Sequence, residues 1–256
     1  MILTIDIGNS NTVIGLFEKS GKLLFSSRSV TERDYTDNQY AATILDVLKQ
    51  SGVGGKKIEG AVLSSVVPPV TGEFKRAILK ITRINPLVVR QGMKTGLNVL
   101  IDNPSELGAD LRVGAVSAIA KYPCPCIIID MGTATKLSCI NANKDFCGCV
   151  IMPGIKISMT ALYEKASLLP DITIDDCPEK VIGTNSTDSM KSGIIFGSAG
   201  SIDNLIDRIS IELGGAESIV ATGGLAEYII PHCRHKIIYD ENLILNGLFL
   251  LYNQNC

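Results

Sequence analysis

The chain has 256 residues, 46% hydrophobic and 20% charged, with a formal net charge of −2. This ordinary globular composition, slightly acidic and without a basic cluster, excludes a protein built mainly to hold nucleic acid or an anionic membrane surface. The apolar runs are too short to cross a bilayer, and the opening MILTIDIG has no basic residues ahead of its apolar stretch, so it does not read as a signal peptide.

In chain order, residues 2–7 read as a strand, and 12–18 with 22–29 flank a hairpin turn at Gly21-Lys22. Ala41, Ile44, Leu45 and Leu48 lie on one face of a helix over 37–50, which Gly52 to Gly55 end. A buried strand over 60–67 is closed by Pro68-Pro69. A helix over 70–84, a strand over 86–90 and a looser segment to Glu106 follow. A helix over 108–121 leads to a buried strand at 126–130 and two more strands within 134–151. Helices over 154–165 and 187–213, a strand and turn in IVATGG, and a last helix over 241–252 complete the chain.

A cytoplasmic protein is expected, and its eight cysteines then stay reduced. The pairs Cys124/Cys126 and Cys147/Cys149 have C-x-C spacing, which fits small buried hydrophobes better than a metal site.

One phrase occurs twice. TIDIGNSNT at 4–12 returns as IIDMGTATK at 128–136. Each copy ends an apolar run with Asp, places Gly two residues on, and continues with small polar residues. The repetition suggests two α/β halves, 1–112 and 113–256, with a cleft between them. An Asp at the C-terminal end of a strand faces the crevice where α/β sheets bind ligands. The glycine lets a phosphate approach the backbone. Asn9, Ser10, Thr12, Thr133 and Thr135 offer polar hydrogens, and the carboxylates suit a hard cation. The Walker pattern G-x-x-x-x-G-K-[ST] is absent. Either D-x-G alone reads more readily as a turn after a strand. The pair, with Thr222-Gly223-Gly224 downstream, points to two phosphate loops and a third loop near a nucleoside.

These loops resemble those of the actin/Hsp70/sugar-kinase superfamily. Within it the chain is similar, nearly end to end, to type III pantothenate kinases. The matching stretches are DIGNSNTVIGLF at 6–17, SSVVPP at 64–69, DNPSELGAD at 102–110, DMGTAT at 130–135, GCVIMPGIKISMTALYEKASLLP at 148–170, GTNSTDSMKSG at 183–193 and TGG at 222–224. The resemblance implies a duplicated actin-like (ribonuclease H-like) α/β ATPase fold around a nucleotide cleft. It implies ATP-dependent phosphorylation of pantothenate to 4′-phosphopantothenate, the first step of coenzyme A biosynthesis. It also implies Mg²⁺ with ATP, K⁺ or NH4⁺ as a monovalent cation, and a homodimer whose interface completes the substrate site.

Carried over by motif, Asp6 would bind Mg²⁺, and Gly8, Asn9 and Thr12 would belong to the ATP phosphate loop with Asp6. Asp110 would be the general base, flanked by Gly108 and Ala109 at the substrate. Asp130 would support the monovalent cation, Gly132, Thr133 and Ala134 would line the second phosphate loop, and Gly223 would lie near the adenosine. Ser186, where the family usually has Thr, would reach the partner subunit's substrate. Asp110 also reads as a helix N-cap, a role that can coexist with catalysis.

The acid-binding side departs from the family pattern. Leu111 stands where the family has Arg, and Arg112 comes one residue later, a rotation of about 100° on a helix. Ile101 replaces a frequent Tyr, Lys136 a frequent Thr, and Cys147 a Gly. Either other groups such as Arg112 or Lys136 hold the pantothenate carboxylate, or the chain serves a related hydroxylated substrate or a non-catalytic regulatory role. Lys136 itself reads either as an anion contact or as a solvated strand lysine.

Overall fold

The structure, a computed structural model, describes residues 1–53 and 58–256. Gly54 and Gly55, expected to help end the first helix, lie outside the described residues. The elements run β1 (Ile2–Ile7), β2 (Asn11–Phe17), β3 (Leu23–Val30), α1 (Asp37–Gln50), β4 (Gly60–Ser65), α2 (Pro68–Thr82), β5 (Leu87–Val88) and α3 (Ala109–Lys121). Then come β6 (Cys126–Met131), β7 (Ala134–Ile140), β8 (Phe146–Pro153), α4 (Ile155–Lys165), α5 (Ser186–Leu213), β9 (Ser218–Thr222), α6 (Ala226–Ile229), β10 (Ile238–Tyr239) and α7 (Leu243–Asn255).

The strands form two five-stranded sheets of the same design. The first has the order β3-β2-β1-β4-β5, and the second, read from its own third strand, β8-β7-β6-β9-β10. In each, the first strand pairs antiparallel with the second and parallel with the fourth. The repeated phrase therefore marks a repeated sheet, with Asp6 and Asp130 each one residue before the end of the strand that opens it.

Packing divides the chain into two units. One comprises Met1–Leu97, Asp102–Ala120 and Asn242–Cys256; the other comprises Asn98–Ile101 and Lys121–Glu241. A division at 112/113 would cut through α3. Val113 and Val116 of that helix are buried with Leu245 and Leu248 of α7, so both helices belong to the first unit.

In the first unit, strand alternation sends Leu3, Ile5 and Ile7 to one face, against Ile44 of α1 and Phe74 of α2. The opposite face carries Ile2 and Val62 against α3 and α7, and the Phe17 and Phe249 rings stack there with centroids 4.8 Å apart. In the second unit, Ile127, Ile129 and Met131 of β6 pack on Ile195, Ile202 and Ile206 of α5.

Local chemistry sets the helix ends. The Thr36 N–H donates to Gln39 Oε1 at 2.9 Å in a capping box that opens α1. Pro68 and Pro69, expected to close a strand, instead open α2, where the first turn has no use for their missing N–H groups. Asn185 Oδ1 accepts the Asp188 N–H at 2.9 Å and starts the 28-residue α5, which ends on Gly214 in the left-handed region. The short α6 and β10 were not expected, since four and two residues carry no readable period. Among the described residues, no helix is long and apolar enough to cross a membrane.

Candidate active site

The turn after β1 is built around Gly8. Its N–H donates to the Asn11 carbonyl at 2.9 Å, and a Cβ at this position would come within 3.0 Å of the same oxygen. Thr31, at the end of β3, donates its hydroxyl to the Gly8 carbonyl at 2.8 Å and shares a 2.9 Å hydrogen bond with the Thr12 hydroxyl. Thr12 is 2% exposed. Its hydroxyl, bonded to that of Thr31, braces the loop from within the protein. Asn9 is exposed and accepts from Arg33 Nη2 at 3.1 Å. Thr31 and Arg33 escaped the sequence reading because only the pairing of β2 with β3 brings them here.

Asp6 lies in register with Val13 of β2 and Ser64 of β4. The Ser64 hydroxyl is fully buried and has no hydrogen-bond partner among the described residues. Buried hydroxyls in that situation are completed by water or ligand oxygen.

Asp110 is the second residue of α3 rather than its cap. Its Oδ1 accepts the Leu111 N–H at 2.9 Å, which orients the carboxylate. That same oxygen lies 2.6 Å from where a Cβ on Gly108 would stand, so the glycine makes room for it. Arg112 is 8% exposed, and its Nη2 donates to the Pro104 carbonyl at 3.4 Å. No carboxylate partner accompanies this guanidinium among the described residues, and burial lowers its pKa from the ordinary arginine range. Two residues apart on a helix, Asp110 and Arg112 start from different faces. Both side chains nevertheless run back over the 104–108 turn.

In the second unit, the turn after β6 has the Gly132 N–H donating to the Ala134 carbonyl at 3.2 Å. Thr133 and Ala134 are half-buried, and Thr135 is buried. Gly154, at the start of α4, touches this loop. A Cβ there would lie 2.2 Å from the Thr133 carbonyl oxygen and 2.6 Å from that of Gly132. The Pro-Gly dipeptide was visible in the sequence, but its contact with the turn after β6 was not. Gly223 has φ +99°, and a Cβ on it would meet the Met131 carbonyl at 2.5 Å, so only glycine closes β9 against β6.

Lys136 is largely buried rather than a solvated strand lysine. It pairs across the strands with Asp130, and its Nζ lies 2.7 Å from Asp130 Oδ2. Ser186 opens α5 and lines a cleft of about 780 Å³ with Leu162, Leu169, Gly183 and Met190. None of the eight cysteines is in a disulfide, and no cluster of metal-ligating side chains occurs among the described residues.

Comparison with known proteins decides the family. The profile of the type III pantothenate kinases matches residues 2–208. A type III pantothenate kinase of Halalkalibacterium halodurans is 42% identical over 255 residues, covering all of both chains. The chain belongs to the type III pantothenate kinase family.

Solved structures place it in the actin-like ATPase and sugar-kinase fold. An activator of 2-hydroxyisocaproyl-CoA dehydratase from Clostridium difficile with bound ADPNP aligns at TM-score 0.58 and 14% identity, covering 98% of this chain and 93% of the other. A ROK family glucokinase from Streptomyces griseus in complex with glucose and AMPPNP aligns at TM-score 0.51 and 13% identity, covering 98% of each. A kinase of this family uses ATP and a divalent metal.

Asp6 and the buried Ser64 hydroxyl on one sheet face fit a hydrated divalent ion, which takes one or two protein carboxylates and fills its shell with water and phosphate oxygens. Asp130 does not fit a monovalent cation in the same way, because the Lys136 ammonium already sits on its carboxylate.

Proposed function

We propose that these residues serve ATP-dependent phosphorylation of pantothenate to 4′-phosphopantothenate, the first step of coenzyme A biosynthesis. The observation that carries the assignment is the head of α3. It presents an oriented Asp110 carboxylate and, covering the same turn, a buried Arg112 guanidinium without a carboxylate partner among the described residues. Buried cations are ordinarily paired, and a ligand carboxylate would complete this one.

In this reading Asp110 accepts the proton of the substrate hydroxyl as that oxygen bonds the γ-phosphorus and the bond from phosphorus to the leaving ADP oxygen breaks. A loose phosphoryl-transfer transition state needs orientation and late proton removal more than strong basicity. Mg²⁺, when bound with ATP, neutralises charge on the phosphates. Asp6 would hold it, and the backbone of Gly8 and Asn9 would serve the phosphates. Gly132, Thr133 and Ala134 form the second phosphate loop, and Gly223 lies near the nucleoside. K⁺ or NH4⁺ would neutralise Asp130 in the family reading, a charge that Lys136 supplies here.

The reaction is cytoplasmic, and the protein acts as a homodimer in which Ser186 reaches the partner subunit's substrate. Exposed Leu162, Leu168 and Ile182 beside the Ser186 cleft support such an apolar contact. The test is ADP release with Mg²⁺-ATP, with and without pantothenate, beside Asp110→Asn. Pantothenate-dependent ADP that vanishes in the variant while ATP still binds supports the assignment. Undiminished turnover in Asp110→Asn removes Asp110 as the base.

A further inference from the structure

The duplication of the sheet lets one position be read against its counterpart. Asp6 and Asp130 each have a buried hydroxyl in register on the parallel side, Ser64 and Thr222. On the antiparallel side they differ, for Asp6 is in register with Val13 and Asp130 with Lys136. Opposed residues on neighbouring strands point to the same face with Cβ atoms roughly 5 Å apart. The lysine closes the remaining gap and brings its ammonium to 2.7 Å from the carboxylate, with the two side chains only 15% and 21% exposed. A carboxylate only partly open to water is stabilised as an anion by a fixed positive charge close to it.

We propose that Lys136 Nζ supplies at Asp130 the single positive charge that a monovalent cation supplies in the family reading, so that turnover needs no K⁺ or NH4⁺. The inference rests on the kinase reading of the site. A lysine ammonium and a K⁺ ion carry the same charge, and both bind carboxylate oxygens. The ammonium is tethered, so its concentration at the carboxylate is independent of the salt in solution.

The experiment compares the wild-type protein with Lys136→Thr, which removes the charge and keeps a residue suited to a strand. ADP release with Mg²⁺-ATP and pantothenate is measured in KCl, NH4Cl and N-methyl-D-glucamine chloride at equal ionic strength. Melting temperatures in the same salts provide a readout that does not depend on turnover. The wild-type rate is expected to agree within about twofold across the three salts, while Lys136→Thr loses roughly tenfold or more in N-methyl-D-glucamine and recovers with K⁺ or NH4⁺. K⁺ is expected to raise the melting temperature of the variant alone.

Stimulation of the wild type by K⁺ of about threefold or more overturns the proposal, as does a folded variant whose rate and melting temperature both ignore K⁺. If Lys136→Thr does not fold, the wild-type rates decide. A wild-type protein silent toward pantothenate in every salt refutes the kinase reading alone, and the melting comparison still decides the role of Lys136.

Discussion

Substituting Gly154 by alanine should displace the turn after β6, the proposed second phosphate loop, without altering any polar side chain. The backbone at Gly154, φ −70° and ψ 160°, is open to any residue, so alanine adds no conformational strain. Space is the obstacle. The new Cβ would lie 2.2 Å from the Thr133 carbonyl oxygen, against the 3.4 Å at which ordinary contact begins. The loop carbonyl must therefore retreat by about 1 Å, and a misplacement of that size costs on the order of 10²-fold in rate.

Overpacking should also lower stability by about 1–3 kcal/mol. At roughly 2–4 °C per kcal/mol for a chain of this size, the fall in Tm is measurable. Gly72→Ala in α2 is the control. Its Cβ meets nothing nearer than the flexible Arg76 Nη1 at 3.6 Å. It should keep full activity and gain about 0.5–1 kcal/mol from helix propensity. The assay is kcat and KM for ATP by coupled ADP release, with melting curves beside it. A Gly154→Ala protein within about threefold of wild-type kcat and with an unshifted Tm would refute the steric reasoning.

Arg112→Met keeps the side-chain bulk and removes the charge. If Arg112 holds the substrate carboxylate, the KM for pantothenate should rise by roughly 10- to 100-fold, the value of a charge-assisted hydrogen bond of about 1.5–3 kcal/mol, with the KM for ATP unchanged. A lower Tm with both KM values shifted together would show that Arg112 only braces the 104–108 turn. Burial pushes the Cys139 thiol up to about 12 and those of Cys126 and Cys233 to about 11. A raised thiol pKa keeps the neutral, unreactive form well above neutrality. Exposed Cys149 and Cys256 should therefore react fast with a disulfide reagent in the native protein, and peptide mapping that found Cys139 labelled as fast would contradict the burial argument.

Several elements of the site were legible because local chemistry fixes them. An apolar run ending in Asp, then Gly two residues on, forces a strand and a turn in either copy. Asp110 at the head of a helix was legible for the same reason. Pro68-Pro69 was ambiguous, since proline suits both the end of a strand and the first turn of a helix, and only the later packing of Val70 and Phe74 selects the helix.

The partnership of Lys136 with Asp130 depends on register. A slip of one residue would have sent the lysine to the opposite face, and no feature of Lys136 alone excludes that slip. Thr31 and Arg33 reach the first loop through strand pairing over more than twenty positions. Contacts of that kind have no short-range signature.

The C-terminal helix has a consequence for the making of the protein. Leu245, Leu248 and Leu251 of α7 cover the face of the first sheet that carries Ile2 and Val62. That sheet leaves the ribosome before the second one, and its cover leaves after it. The residues from Lys121 to Glu241 carry all the strands of the second sheet, so that sheet can assemble while the first still has only α3, and not α7, on that apolar face. The half synthesised first is thus completed last, and shortening the chain at its C-terminus would expose the half farthest from the cut in sequence.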